Sequence, residues 1–398
     1  MVNRMISPRE FFFGPWRAVP VLGITQILAW GTIFYTPVLM LPLVAAERGF
    51  SLTFAMGGFS VGLLAAGLVS PKIGRLIDRY GGHCVMPFGS LGGALGLFAL
   101  PYASHPVAYY ATWMLLGFAL AASLYDPAFA TLGRIFGARA RSPITALTLM
   151  GGFASTVSWP VTFVLLQAVG WKTTYIIYAA ALALIAAPLH AFALPRTRAE
   201  AEVKPAHGAS LPPPTRPATG AAFLLVVAAF ASYAFVPSGL SAHLLAIFQR
   251  AGIDPGTVVL IGALFGPSQV AARLCEFIFA RNVHPLLMAR FAVGLLVASF
   301  LLLAVFGFST PVAFAFAIMF GVANGLITIA RGAVPLALFG AVGYGGIIGR
   351  IAGPALIITA VAPVVIAFVA ERISDPAALA VATAFAVLAF VCFLAIRR

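Results

Sequence analysis

The sequence predicts an all-α membrane protein: twelve transmembrane helices in two pseudo-symmetric six-helix bundles. Three observations predict it. The first is composition. Of 398 residues, 62% are hydrophobic and 9% charged. A soluble domain is about 45–50% apolar and about 25% charged, so in water this chain would expose most of its apolar surface. The second is that the apolar residues fall in runs of about 20, the length a helix needs to cross a bilayer core. A helix also satisfies its backbone polar groups internally, as lipid requires. The third is that basic residues concentrate in the loops on one side, as cytoplasmic loops do.

In chain order, the first six runs place helices at 17–45, 53–71, 84–102, 106–133, 143–168 and 172–194. Residues 195–217, PRTRAEAEVKPAHGASLPPPTRP, have almost no large apolar side chain and read as a flexible linker. Six further runs lie at 218–248, 256–280, 285–307, 310–331, 344–369 and 376–396. The chain thus divides into a bundle at 1–194, a cytoplasmic linker at 195–217 and a second bundle at 218–398. The two halves resemble each other at an offset of about 202 residues. FSLTFAMGGFSVGLL matches IDPGTVVLIGALFGP in hydropathy and turn position. Gly117-Phe118-Ala119 matches Gly321-Val322-Ala323, and Pro160 matches Pro363. Weak internal symmetry of this kind marks proteins built from repeated membrane bundles.

With both termini cytoplasmic, 20 of the 24 basic residues fall on the inner side, including Arg4, Arg9, Arg281 and Arg398. Only Arg48, Lys172, Arg250 and Arg372 fall outside. A missed helix would flip every later loop and spoil this asymmetry. The net charge of +14 therefore belongs to membrane orientation, and nucleic acid is not an expected partner. Cys84, Cys275 and Cys392 match no zinc or redox spacing and read as small apolar filler. The first 16 residues have no compact apolar core with a cleavage site, so the first helix is expected to serve as an uncleaved signal.

One charged island stands between the second and third runs: Gly74, Arg75, Asp78, Arg79 and Gly81. It reads as a tight cytoplasmic turn. The glycines permit a sharp connection. Asp78 can accept from backbone donors at a helix start or pair with an arginine. The pattern Gly-x-x-x-Asp-Arg-x-Gly resembles the loop signature of the major facilitator superfamily of secondary transporters. Its last basic place is held here by His83. The resemblance extends over the whole chain through the twelve spans and the central linker. It implies two bundles around a central cavity, rocking between inward-open and outward-open states with this loop as part of a latch. In the second half the same place reads Arg273-Leu274-Cys275-Glu276, without the glycine and aspartate.

Ionisable residues at bilayer depth are costly and usually functional or paired. Asp126 lies late in the fourth span and Arg331 at the end of the tenth, near its counterpart in the repeat. The resemblance implies that the first, fourth, seventh and tenth helices line the cavity. On that basis the two residues face each other near the inner mouth, either as a gate salt bridge or with Asp126 carrying a coupling proton. Arg273 stands late in the eighth span with Glu276 three residues on, close enough on one helix face to pair. Alternatively, its guanidinium forms an anion site, because it can hold a carboxylate with two parallel bonds. Carboxylate carriers of the oxalate and monocarboxylate kind use basic residues on the eighth and eleventh helices, which implicates Arg273 and Arg350. Gln26, Trp30, Tyr35, Tyr233, Ser241, His243 and Asn324 are the expected polar and aromatic lining. Pro37, Pro160, Pro237 and Pro363 suggest bends.

The expected function is a secondary active transporter of a small solute in the bacterial inner membrane, with a proton-linked organic anion of monocarboxylate type as the leading substrate class. Efflux of drugs or toxic solutes is the alternative, and a non-transporting receptor a distant one. No Walker sequence, metal-ligand cluster or catalytic triad pattern is visible, so neither an enzyme nor a cofactor is expected. The expected partners are the solute, a proton and the lipid bilayer, with the protein acting as a monomer.

Overall fold

The computed structural model describes residues 14–196, 218–241, 243–280 and 282–397. The predicted linker from residue 197 on lies outside the described residues, as do Arg4, Arg9, Arg281 and Arg398. Eleven continuous helical stretches among the described residues are long and apolar enough to cross a bilayer. One of them, Arg141–Ala193, has 53 residues. At 1.5 Å per residue it would be about 80 Å long, far beyond a core of about 30 Å. It folds back at Gly170, whose φ of 74° is open to glycine. Thr162 Oγ1 on one limb lies 2.6 Å from the Tyr178 hydroxyl on the other. In a straight helix those residues would stand about 24 Å apart. The described residues therefore make twelve crossings.

We label the helices α1 (Pro15–Arg48), α2 (Leu52–Tyr80), α3 (Gly82–Tyr102), α4 (Pro106–Arg139), α5 and α6 (the limbs 141–169 and 171–193), α7 (Ala221–Leu240), α8 (Pro255–Ala280), α9 (Pro285–Phe306), α10 (Thr310–Phe339), α11 (Tyr344–Arg372) and α12 (Asp375–Ala395). A short helix, Leu244–Arg250, extends α7. Local chemistry sets the starts. Ser51, Asp254 and Ser374 cap α2, α8 and α12 by accepting from Phe54, Thr257 and Ala377 backbone N–H groups at 3.1, 3.0 and 3.2 Å. Pro106 and Pro255 occupy first-turn positions, where no hydrogen bond is lost.

Each half has its own apolar core. In the first, Ile33, Leu63, Trp113, Leu116 and Tyr175 pack together; in the second, Val226, Ala292, Leu296 and Phe316 mark two adjoining clusters. The halves join at the end where the chain enters α1 and leaves α12. There Leu22, Phe129, Leu132 and Ile144 of the first half pack with Leu336, Tyr344 and Ile348 of the second. The longest seam runs between α2 and α11. Gly67, Ser70 and Gly74 face Gly353, Gly349 and Gly345, backbone against backbone. A Cβ added at Gly345 would stand 2.5 Å from the Gly74 carbonyl oxygen, and one at Gly353 would stand 2.9 Å from that of Gly67. The first part of α5, Arg141–Gly151, also packs on α8 and α10. At the opposite end, the outer parts of α1 and α5 form no comparable seam with α7 or α8. The molecule is sealed at one end and parted at the other.

The charged island differs from its expected form. Helix α2 continues through Tyr80, and the reversal into α3 is made by Gly81 alone, with φ 88°. Gly74 is no turn residue. It is needed because the α11 backbone lies where its side chain would be.

Candidate functional site

Four helices that meet between the halves are irregular, α1, α4 and α5 near mid-length and α8 at its end. In α1, Trp30–Tyr35 forms a π turn. It is followed by Pro37, which can donate no backbone hydrogen bond. Helix α4 breaks at Leu124 (φ −82°, ψ −158°), between Pro106–Ser123 and Tyr125–Phe136. Helix α5 is interrupted after Gly151, and α8 passes into a π turn at Glu276–Ala280. Breaks free backbone groups that lipid cannot satisfy. At the α4 break, the Gln26 side-chain amide donates to the carbonyls of Ser123 (2.7 Å) and Leu124 (3.2 Å). Gln26 is fully buried and accepts from Trp30 Nε1 at 3.1 Å. It is therefore committed to protein and does not line the site as expected.

Arg273 projects from α8 between the halves and is 4% exposed. It donates to the Thr148 carbonyl of α5 at 2.9 Å, to Gln269 Oε1 at 3.3 Å, and to Thr328 Oγ1 and the Gly325 carbonyl of α10 at 3.4 Å. Every one of these acceptors is neutral. No carboxylate among the described residues forms an ion pair with it. The expected Arg273–Glu276 pair does not form. Entry into the π turn changes the register after Cys275, and Glu276 instead meets Arg141 of α5 at 2.8 Å. The phenols of Tyr35, Tyr125 and Tyr233 lie within electrostatic reach of Arg273. Tyr233 donates to Asn324 Oδ1, while Asn324 Nδ2 donates to the Phe320 carbonyl at 2.8 Å. The site thus gathers one helix cation with three phenols from α1, α4 and α7.

Toward the sealed end, three carboxylates bridge the halves. Asp126 Oδ2 on α4 accepts from Arg331 Nη2 on α10 at 2.7 Å. Asp126 Oδ1 and Arg331 Nε are buried without a partner. Glu276, 2% exposed, pairs with Arg141, which also donates to the carbonyls of Val283 (2.5 Å) and Ala280 (3.2 Å). Asp78, near the end of α2, accepts from the free backbone N–H groups of Gly345 and Gly346 at the start of α11, at 2.8 and 2.7 Å. A carboxylate at a helix N-terminus is favoured by the helix dipole. Arg134 donates to the Asp78 carbonyl. Arg75 runs beside Gly346, and the Arg79 guanidinium lies over the Tyr80 ring at 5.1 Å. Arg141 and Tyr125 are residues that sequence reasoning missed, though Tyr125 stands beside Asp126 and could have been found from it. Nothing in the local sequence of Arg141 separates it from other loop arginines.

Three expected residues lie elsewhere. His243 sits in the turn between α7 and its extension, close to Asp375 at the parted rim. Arg350 is exposed near the start of α11, with its guanidinium 4.6 Å from the Phe223 ring centroid. Ser241 is also exposed, donating to the Ser238 carbonyl.

The geometry agrees with what comparison gives. The Major Facilitator Superfamily profile matches residues 22–340. Solved structures of that architecture superpose over nearly the whole chain. The human organic anion transporter MFSD10 (TETRAN) is similar at TM-score 0.71 and 17% identity, covering 95% of this chain and 99% of its own. A bacterial homologue of the iron transporter ferroportin, in an outward-facing state, gives 0.74 at 12% identity, covering 96% and 98%. The proton:xylose symporter XylE gives 0.73 at 9% identity, covering 96% of each chain. These likenesses are of fold. No curated protein sequence matches the chain. The profile match over most of its length, with twelve crossings in two bundles, places this chain in the major facilitator superfamily, as a secondary active transporter of small solutes and not an enzyme.

Proposed function

We propose that the protein carries a small organic anion by alternating access, coupled to a proton. The observation that carries the reading is Arg273. A buried guanidinium is costly unless its charge is compensated, and this one is surrounded by neutral acceptors. A carboxylate arriving between the halves would supply the missing charge and two matched acceptors. Asp126 supports the coupling. Protonating it would cancel the charge that holds Arg331 and would loosen the sealed end. On the count of basic loops, both termini and the sealed end face the cytoplasm of a bacterial inner membrane, so this conformation opens outward. The bundles 1–194 and 218–398 would then rock about the site.

The test uses purified protein in liposomes with labelled carboxylic acids and an imposed inward proton gradient. Gradient-driven uptake is expected in the native protein. Arg273→Gln should abolish it and Arg273→Lys should reduce it at least tenfold. Uptake unchanged in both variants would overturn the anion site.

A further inference from the structure

The π turn in α1 has a consequence for what the anion looks like. In an α-helix, residues five apart point about 140° from one another. In a π turn, hydrogen bonds run between residues five apart, so those residues come onto one face. Trp30 and Tyr35 are five apart, and their ring centroids lie 5.8 Å from each other. Local chemistry holds the turn open. Thr36 Oγ1 donates to the Gly31 carbonyl at 2.5 Å, and Pro37 can donate no bond to the preceding turn. Tyr125, the first residue after the α4 break, brings its ring to 5.3 Å from Trp30.

These three rings are held rather than loosely packed. Trp30 spends its only polar edge on Gln26, which is itself fixed to the α4 break. Tyr125 stacks on the buried Phe129 at 5.4 Å with 11° between planes. Yet Trp30, Tyr35 and Tyr125 are each only partly buried. The first half thus presents an oriented aromatic wall that protein leaves incompletely covered. The cation comes from the other half. The Tyr125 hydroxyl lies against Gly151 and Arg273 Nη1 against Gly152, so wall and guanidinium adjoin at the α5 interruption.

We propose that the transported anion is an aromatic monocarboxylate, its carboxylate on Arg273 and its ring against Trp30, Tyr35 and Tyr125. This rests on the anion reading above. A flat π face meets such a wall edge-on or offset, an attraction beyond simple burial that a saturated ring of equal size lacks. The substrate would touch the first half through its ring and the second through its charge, so that occupancy ties the two bundles together.

The experiment measures inhibition and counterflow in liposomes with phenylacetate and benzoate, cyclohexanecarboxylate, acetate, and the neutral benzyl alcohol. The aromatic acids are expected to bind about tenfold or more tightly than cyclohexanecarboxylate. Trp30→Leu should erase most of that ratio, read within the one variant so that a loss of affinity common to all the acids, acetate included, cancels. Trp30→Phe, which keeps a ring face, should retain it and shows that the site survives substitution at this position. Equal affinity for aromatic and saturated acids would overturn the aromatic proposal and leave the anion reading standing. Binding of benzyl alcohol with no acid binding at all would overturn both.

Discussion

Asp126 meets Arg331 through a single carboxylate oxygen, the other being buried without a partner. A carboxylate held this incompletely is suited to exchanging a proton for an ion pair. Asp126→Asn should remove the exchange but not the carrier. Counterflow of the solute should persist, while the accumulation driven by a proton gradient should collapse to an inside-to-outside ratio of about one. Accumulation at the native level would rule out Asp126 as the coupling group. At this scale the sequence was partly legible. Asp126 and Arg331 stood out as charges within apolar runs at near-equivalent places in the repeat, and the family resemblance put their helices opposite each other. The partner of Glu276 was not legible. Spacing along one helix favoured Arg273, but the π turn spoils that register and Arg141 arrives from a helix 135 residues away. Gln26 misled for a related reason. Its commitment to α4 depends on the break at Leu124, where Pro127 has no N–H to donate and leaves the Ser123 carbonyl four residues back free to accept from Gln26, a pairing that no spacing within α1 reveals.

Hydropathy located all twelve helices, but it read only their lipid-matched lengths. Helix α2 was expected to end near 71 and runs to Tyr80; α10 was expected to end near 331 and runs to Phe339. Backbone hydrogen bonding continues beyond the membrane until a residue with positive φ stops it, Gly81 at 88° and Gly340 at 79°. The α2–α11 seam carries the element-scale prediction. Gly74→Ala would push a Cβ to within 2.6 Å of the Gly345 carbonyl carbon, a backbone atom with no rotamer to retreat into. The helices must separate, while each half keeps its own core. A cysteine introduced at Ile348, 1% exposed between the halves, should then be alkylated at least tenfold faster. Gly266→Ala, which meets nothing within 4 Å, should leave that rate unchanged. Equal rates in the two variants would mean that the seam is not what keeps the end closed.

For the whole molecule, the sealed end should open and close with each cycle. Arg141→Cys with Glu276→Cys places one thiol on each half at that end. A short, reducible bifunctional reagent should stop transport by at least 90% relative to either single variant, and reductant should restore it. Full activity with the link in place would mean that the bundles do not part there. The division into halves was legible from the offset repeat and the alternating basic loops, both of which survive because lipid constrains them. The sites where the halves touch were legible only in part: Asp126 and Arg331 stood out as charges, and glycines at 345, 349 and 353 recur every four residues as a close-packing face, but that spacing does not say which helix meets it. Asp78 and Glu276 make the point. Each stands near the end of its half's second helix, and each grips the start of the other half's fifth helix, one through bare peptide groups and the other through a guanidinium. Each bundle thus lends an acid to clasp its opposite number, so the two clasps straddle the pseudo-symmetry axis and must be released together for that end to open.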